Sequence, residues 1–223
     1  MAAWVRIFLL ALVLLVSSGV TAGATQEDVI TAWRNAMHVD ARARTAVLRS
    51  TATDDGLATT IDEWVTTDGR YHRITNRVFD REDLLLTRRG ARLLDWNNFA
   101  RDLDSTELAR VRGEAFIVET LAFGPDASFA AAQLSASEDG AVQVTVSTAG
   151  EPIVWTLDAQ AHLPSSVSAD GEERAIVWRD GVVAQIGDAT MTQVSLTRER
   201  RHFFDIQPPA YIDVMMVGDS VVI

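Results

Sequence analysis

From Thr45 the chain falls into short runs, TAVLRSTAT, LATTIDEWVTT and RYHRITNRVF, rich in threonine, valine, isoleucine and aromatics and separated by Asp54-Asp55-Gly56 and Asp68-Gly69. Runs of this composition broken by Asp-Gly pairs are successive antiparallel strands joined by tight turns. The pattern continues through LLLTRRGARLLDWNNFARDL, with strands expected over 83–88, 91–96 and 99–103 and turns at Arg89-Gly90 and Asn97-Asn98. Asparagine tolerates the positive φ of a two-residue type I′ hairpin, so the polar cluster Asp95-Trp96-Asn97-Asn98 reads as a hairpin tip rather than a catalytic loop. After position 140 the sheet pattern resumes in AVQVTVS, EPIVWTLD, HLPSSVS, ERAIVWRD, VVAQIG and MTQVSLTRERRHFFDI. Asp139-Gly140, Gly150, Asp170-Gly171 and Asp180-Gly181 punctuate these runs.

Two stretches break the strand period. Thr25 to His38 places Val29, Ile30, Trp33, Ala36 and Met37 on one helical face, behind a capping start of Thr25 with Asp28. A longer helix starts from Asp104 with Glu107 three residues on, carries Leu108, Val111, Ala115 and Val118, and ends at Phe123-Gly124-Pro125. A short further helix is expected over Ala127 to Leu134. The order is helix, meander, helix, meander in one domain. An antiparallel sheet of so many strands accumulates twist and curls, so the expected class is α+β: a curled sheet whose concave apolar face is covered by the few helices available.

The first two dozen residues stand apart. Arg6 precedes a ten-residue apolar run, Ile7 to Val16, and Ala22-Gly23-Ala24 has the small residues of a cleavage site. These are the parts of a secretory signal peptide over residues 1–24, and the run is short of the roughly 20 apolar residues a membrane span needs. The expected location of the mature chain, from Thr25 onward, is the periplasm or the exterior. No cysteine occurs and all twenty basic residues are arginine. That removes disulfides, thiol nucleophiles, Schiff-base lysines and the phosphate-binding lysine of a P-loop. A net charge of −11 repels nucleic acid and anionic headgroups, so no nucleic-acid partner is expected.

Catalytic patterns are missing by their indispensable residues. There is no G-x-S-x-G elbow, no H-E-x-x-H helix, and Gly218-Asp219-Ser220 reverses the order an aspartic protease requires. His38, His72, His162 and His202 are too dispersed for a metal site, and neither metal nor other cofactor is expected. Asp62 and Glu63 are neighbours on a strand and point to opposite faces, so they make no acid dyad. If the chain were an enzyme, its best acid or base would be His72, beside Arg70 and Arg73. The expectation is a protein that is not an enzyme.

The order of these elements, the hairpins around Asp68-Gly69 and from Gly90 to Asp95-Trp96, and the closing Phe203-Phe204-Asp205 to Pro208-Pro209 resemble the LolA-like envelope proteins, the lipoprotein carrier family and its relatives. The likeness runs over about Thr25 to Pro209, leaving a C-terminal tail over 210–223, and is nearer to the carrier's relatives than to the carrier. It implies a half-barrel with helices lidding an apolar concavity, which in the carrier takes lipoprotein acyl chains. No ligand residue of the carrier transfers to a numbered position here. The implied function is a non-enzymatic carrier or sensor for an acyl chain or other hydrophobic ligand. Candidate lining residues are the apolar positions Trp33, Trp64, Trp96, Leu108, Val111, Val118, Trp155 and Trp178, whose ordinary alternative role is core packing. A second reading is an accessory module with an envelope protein partner. Some relatives carry such a domain ahead of a retropepsin-like protease, and the tail YIDVMMVGDSVVI reads as an apolar strand cut at its start.

Overall fold

The computed structural model describes residues 25–54, 56–78, 80–95, 97, 99–136, 141–148 and 152–198, with two further short strands at 215–217 and 220–222. Helix α1 spans Gln26–Ala36, and strands β1 to β6 follow as Thr45–Asp54, Leu57–Thr66, Tyr71–Asn76, Arg81–Thr87, Gly90–Leu94 and Ala100–Asp102. Helix α2 spans Ser105–Phe123, a 3-10 helix covers Ala127–Ala131, and β7 is Gln133–Ala136. Strands β8 to β13 are Val142–Ser147, Pro152–Leu157, Pro164–Ala169, Glu172–Arg179, Val182–Ile186 and Ala189–Thr197. Strands β14 (Met215–Val217) and β15 (Ser220–Val222) pair with each other, apart from the main sheet.

The main sheet is antiparallel throughout, with 13 strands in the order β6-β5-β4-β3-β2-β1-β13-β12-β11-β10-β9-β8-β7. The chain therefore begins in the middle, meanders outward to β6, passes through α2 to the far edge at β7, and returns inward until β13 pairs with β1. That seam runs in register from Thr45↔Thr197 to Thr51↔Thr190 with one irregularity at Arg49/Ser50. It joins the first and last strands of the sheet, so neither meander can complete it alone. The two free edges are kept short, three residues in β6 and four in β7, which limits the row of unpaired amides each presents.

Turn chemistry explains the tightness of the returns. Asp170 and Gly171 (φ 53° and 77°) and Asp180 and Gly181 (φ 52° and 71°) each supply two consecutive positive φ angles, the requirement of a type I′ hairpin. Gly181 has a second constraint. A Cβ there would lie 2.9 Å from the His38 ring and 3.0 Å from the Ala36 carbonyl oxygen, and the Gly181 carbonyl accepts from the His38 amide at 3.2 Å. The β11–β12 turn thus docks on the end of α1.

Both helices start as the sequence predicts. The Thr25 hydroxyl accepts from the Asp28 amide while the Asp28 carboxylate accepts from the Thr25 amide at 2.9 Å. The Asp104 carboxylate accepts from the Thr106 and Glu107 amides at 2.9 Å, and Glu107 accepts in return from the Asp104 amide at 3.1 Å. Bonds from Arg101 and from that amide hold the Glu107 carboxyl down at about 2. Asp104→Ala leaves the first-turn amides without an acceptor, so a loss of about 1 kcal/mol in unfolding free energy is expected in a urea titration. An unchanged midpoint would show that α2 is held by packing alone.

Three expectations are corrected. The segment predicted helical to Leu134 stops at Ala131, and Gln133–Ala136 is instead edge strand β7, with Leu134 opposite Val144. One 3-10 turn capped by Asp126 leaves no length for an α-helix before the open edge of β8 captures the chain. The β5–β6 connection is a five-residue loop, because Leu94 pairs with Ala100, in place of a two-residue hairpin at Asn97-Asn98. The Asp95 carboxylate organises it by accepting from the Asn97 and Phe99 amides at 2.9 and 3.0 Å. The first turn of that stretch is Arg88-Arg89, with Gly90 already in β5 opposite Thr87. Trp96, His202 and the closing 203–209 lie outside the described residues.

The core lies between the inner face of the sheet and the helices. Ala46, Leu48, Val65, Tyr71, Leu84, Leu86, Val144, Ile153, Trp155 and Val167 come from strands, and Ile30, Trp33, Val111, Ala115, Ile117, Val118 and Leu121 from α1 and α2. The 3-10 helix contributes Phe129, whose ring meets Trp33 edge-on at 5.3 Å. Arg34 ties α1 to the end of α2 by donating to the Pro125 carbonyl at 2.7 and 3.2 Å. This is the curled α+β sheet with helices on its concave face that the twist argument requires.

Candidate functional site

Strand alternation decides what faces the helices. In β2 and β3 the inward side chains include Glu63, Val65, Tyr71 and Arg73, with Glu63 opposite Arg73 and Val65 opposite Tyr71. Asp62 points the other way and pairs with Arg49 on the outer face, as the strand period requires. Two charged residues are thereby carried to a largely apolar surface. The Tyr71 hydroxyl donates to Glu63, and Arg73 donates to Glu114 of α2.

The electrostatics follow from that burial. Desolvation pushes the Glu63 carboxyl above its ordinary value, against the opposing pull of the Tyr71 hydrogen bond and the Arg73 charge. Desolvation also drives the Tyr71 phenol far up, reinforced by the neighbouring Glu63 charge. Burial works against the Arg73 guanidinium, but Tyr71, Glu114, Glu63 and Glu82 outweigh it and hold the group more firmly protonated than usual. The set is a polar strut between sheet and helix.

Beside this strut lies a cavity of ≈ 600 Å³ between α2 and the inner face of the sheet at the β1–β13 seam. Leu48 and Ile61 line it from the sheet, Ile117, Val118 and Leu121 from α2, and Ile186 and Met191 from β12 and β13. Glu63, Arg73, Glu114 and Arg174 add charge, and the exposed Glu172 and Asp188 lie on its solvent side. The volume is in the range of small-molecule sites, about 300–1,000 Å³.

A second cleft of ≈ 320 Å³ opens on another face of α2, lined by Val65, Leu86, Arg88, Arg112, Ala115, Phe116 and Glu119, with Asp68 and Gly69 from the β2–β3 turn. Burial raises the Glu119 carboxyl to about 7, helped by the nearby Asp126 and Asp68 charges. Among the described residues, five arginines are half-buried: Arg70, Arg73, Arg77, Arg112 and Arg174. The first three have hydrogen-bonded acidic partners. Arg112 lines the smaller cleft and Arg174 the larger cavity.

Of the candidate lining residues, Val118 lines the larger cavity. Trp33 and Trp155 are fully buried, their rings tilted by 57° with centroids 5.3 Å apart, and Val111 is core as well. Leu108 is half-buried against the core, and Trp178 donates to the Pro164 carbonyl at 2.6 Å. Trp64 is on the outer face, stacked on His72 with ring centroids 5.0 Å apart. Trp96 lies outside the described residues. His72 is buried there too, with Nε2 2.6 Å from the Asp83 carboxylate, on the face away from Arg73. Among the described residues no cluster of three or more histidine, aspartate or glutamate side chains could hold a metal. The polar lining was missed in the sequence, although Glu63 and Arg73 sit at the period-two positions of Val65 and Tyr71 and that spacing was the available signal.

No family model matches the chain, and no curated protein matches it. Among solved structures, a chain of the MucA/MucB complex of Pseudomonas aeruginosa matches at 17% identity, covering 78% of this chain and 57% of that chain, with a TM-score of 0.29. The match spans a little over half of that chain's length. At that TM-score no residue of one chain is equated with a residue of the other.

Proposed function

We propose that this chain is a non-enzymatic binding protein of the cell envelope that shelters an acyl chain, or a comparable hydrophobic ligand, between α2 and the inner face of its sheet. The observation that carries the reading is the ≈ 600 Å³ cavity with Leu48, Ile61, Ile117, Val118, Ile186 and Met191 on its walls. A wall of this kind needs no sequence motif to bind. Each buried methylene contributes about 0.8 kcal/mol, so ten give about 8 kcal/mol before the cost of association is subtracted. Arg174 offers a counter-charge to an acidic head on the same ligand. The exported location rests on the signal-like segment at 1–24; among the described residues no helix is long and apolar enough to cross a membrane.

Native mass spectrometry of the mature chain, purified from a Gram-negative periplasm without detergent, tests the reading. A retained adduct with the mass of a fatty acid or phospholipid, lost on addition of organic solvent, is expected. A bare protein that also fails to take up a solvatochromic lipid probe would overturn the carrier reading and favour an accessory module that recruits a partner strand at the open edges β6 or β7.

A further inference from the structure

The smaller cleft has a different chemistry from the larger cavity. Arg112, Ala115, Phe116 and Glu119 occupy one face of α2 at spacings of three, four and seven, and Arg88 enters from the β4–β5 turn. Val65 and Leu86 form an apolar floor. Among the described residues neither the Arg112 nor the Arg88 guanidinium has a carboxylate or carbonyl partner, and Arg112 is half-buried. A guanidinium held half out of water without a partner is a strong donor to any planar or tetrahedral oxyanion that reaches it.

We propose that the cleft between α2, the β2–β3 turn and the β4–β5 turn is a second binding site, for a carboxylate or phosphate group borne on a short apolar body. The two arginines hold the oxyanion, and Phe116 with Leu86 covers the apolar part. This site does not depend on the acyl-chain reading of the larger cavity.

The acidic groups around it make binding pH-dependent. Glu119 faces Asp68 from the β2–β3 turn and Asp126 from the segment after α2, with Arg112 two turns back along the same helix face and Arg88 entering from the β4–β5 turn. Asp68 is already engaged by the Thr66 hydroxyl and by Arg70 at 3.1 Å. Asp126 is engaged by the Ser128 amide at 2.9 Å. Glu119 is the group left to titrate, near 7. Protonated, its hydroxyl donates to the oxyanion; ionised, it repels it. Binding therefore strengthens as pH falls through that value.

Isothermal titration calorimetry of the mature chain with hexanoate at pH 6 and pH 8, and with inorganic phosphate in parallel, tests the site. Hexanoate keeps one charge across this range, so it is the pH probe. Tighter hexanoate binding at pH 6 than at pH 8 is expected. Arg112→Gln should weaken it by about tenfold, the scale of one charge-assisted hydrogen bond. Arg88→Gln, at an exposed turn where folding is not at risk, should do the same. Glu119→Gln should keep the binding and lose the pH dependence, because an amide donates at either pH. Phosphate binding with the same arginine dependence would identify the free anion as a sufficient ligand, and hexanoate binding alone would require the apolar body. No binding of either probe at millimolar concentration would overturn the proposal. So would binding lost in Arg174→Gln and untouched in both cleft variants, since that places the ligand in the larger cavity.

Discussion

Trp155→Ala is expected to lower the unfolding free energy by about 3–5 kcal/mol, the cost of removing a large aromatic from a packed interior. Trp155 is fully buried on β9, opposite Val144 of β8 and Val167 of β10, which are fully buried as well. Its ring lies 5.3 Å from Trp33 of α1, which in turn meets Phe129 of the 3-10 helix at the same distance. Trp155 therefore joins the second meander to the first helix, and Trp33 carries the contact on to the end of the crossover. Losing Trp155 empties a space that three elements share and that none can refill without leaving the others. Aromatic pairing adds about 0.5–1.5 kcal/mol to the area term. A urea titration should show the midpoint falling with the slope unchanged. A loss below about 1 kcal/mol would mean that the helix is not anchored through this ring. Trp155→Phe should cost less than Trp155→Ala. It keeps a ring and removes an indole N–H that has no acceptor among the described residues.

Glu119→Gln is expected to stabilise the protein at pH 8 and to change little at pH 5. Burial, with Asp126 and Asp68 nearby, puts the folded-state value at about 7 against 4.5 for the unfolded chain. Between those values the folded state holds a proton that the unfolded state has released, so stability falls as pH rises through the window and levels off above it. The deficit at pH 8 is on the order of 2 kcal/mol once solvent screening of a group that is not fully buried is allowed for. Glutamine has no proton to lose and should flatten that part of the profile. Denaturation midpoints of both proteins at pH 5 and pH 8 give the answer. Glu63 is shifted in the same direction but is common to both proteins, so the difference isolates position 119. Glu107, held low, changes stability only at more acidic pH and with the opposite sign. A variant whose profile matches the wild type would show that Glu119 is solvated in the folded protein, and would remove the proton switch from the smaller cleft.

Much of the local structure was legible. Thr25 with Asp28 and Asp104 with Glu107 mark both helix starts because a short oxygen-bearing side chain and an acid three residues later satisfy the first-turn amides reciprocally. Asp170-Gly171 and Asp180-Gly181 mark hairpins because few residues take consecutive positive φ angles. The opposite orientation of Asp62 and Glu63 follows from the strand period alone. The Asn97-Asn98 turn was misread because asparagine permits a type I′ turn without requiring one. The Leu94↔Ala100 register, set by pairing of the flanking strands, allowed five residues instead. Strand β7 was missed because Gln133–Ala136 has little strand preference of its own and is recruited by the exposed edge of β8.

The chain's own order of residues determined the class of fold through its strand and helix periods, and with it the helix starts, the Asp-Gly turns and the alternation of side chains along each strand, since these periods, caps and turns are settled over a few neighbouring residues by sterics and hydrogen bonding. Tertiary structure alone decided that β13 closes on β1, which face of each strand turns toward the helices, and that Arg73 meets Glu114 while Arg112 and Glu119 meet Arg88 and Asp68 in another cleft. Those groups are dozens of residues apart, and their approach depends on how a curled sheet presents its faces to one helix, which no local pattern encodes. The tryptophans were visible as apolar residues, but whether each fills the core or lines a cavity depends on what packs against it. Trp33 and Trp155 proved to be core for that reason.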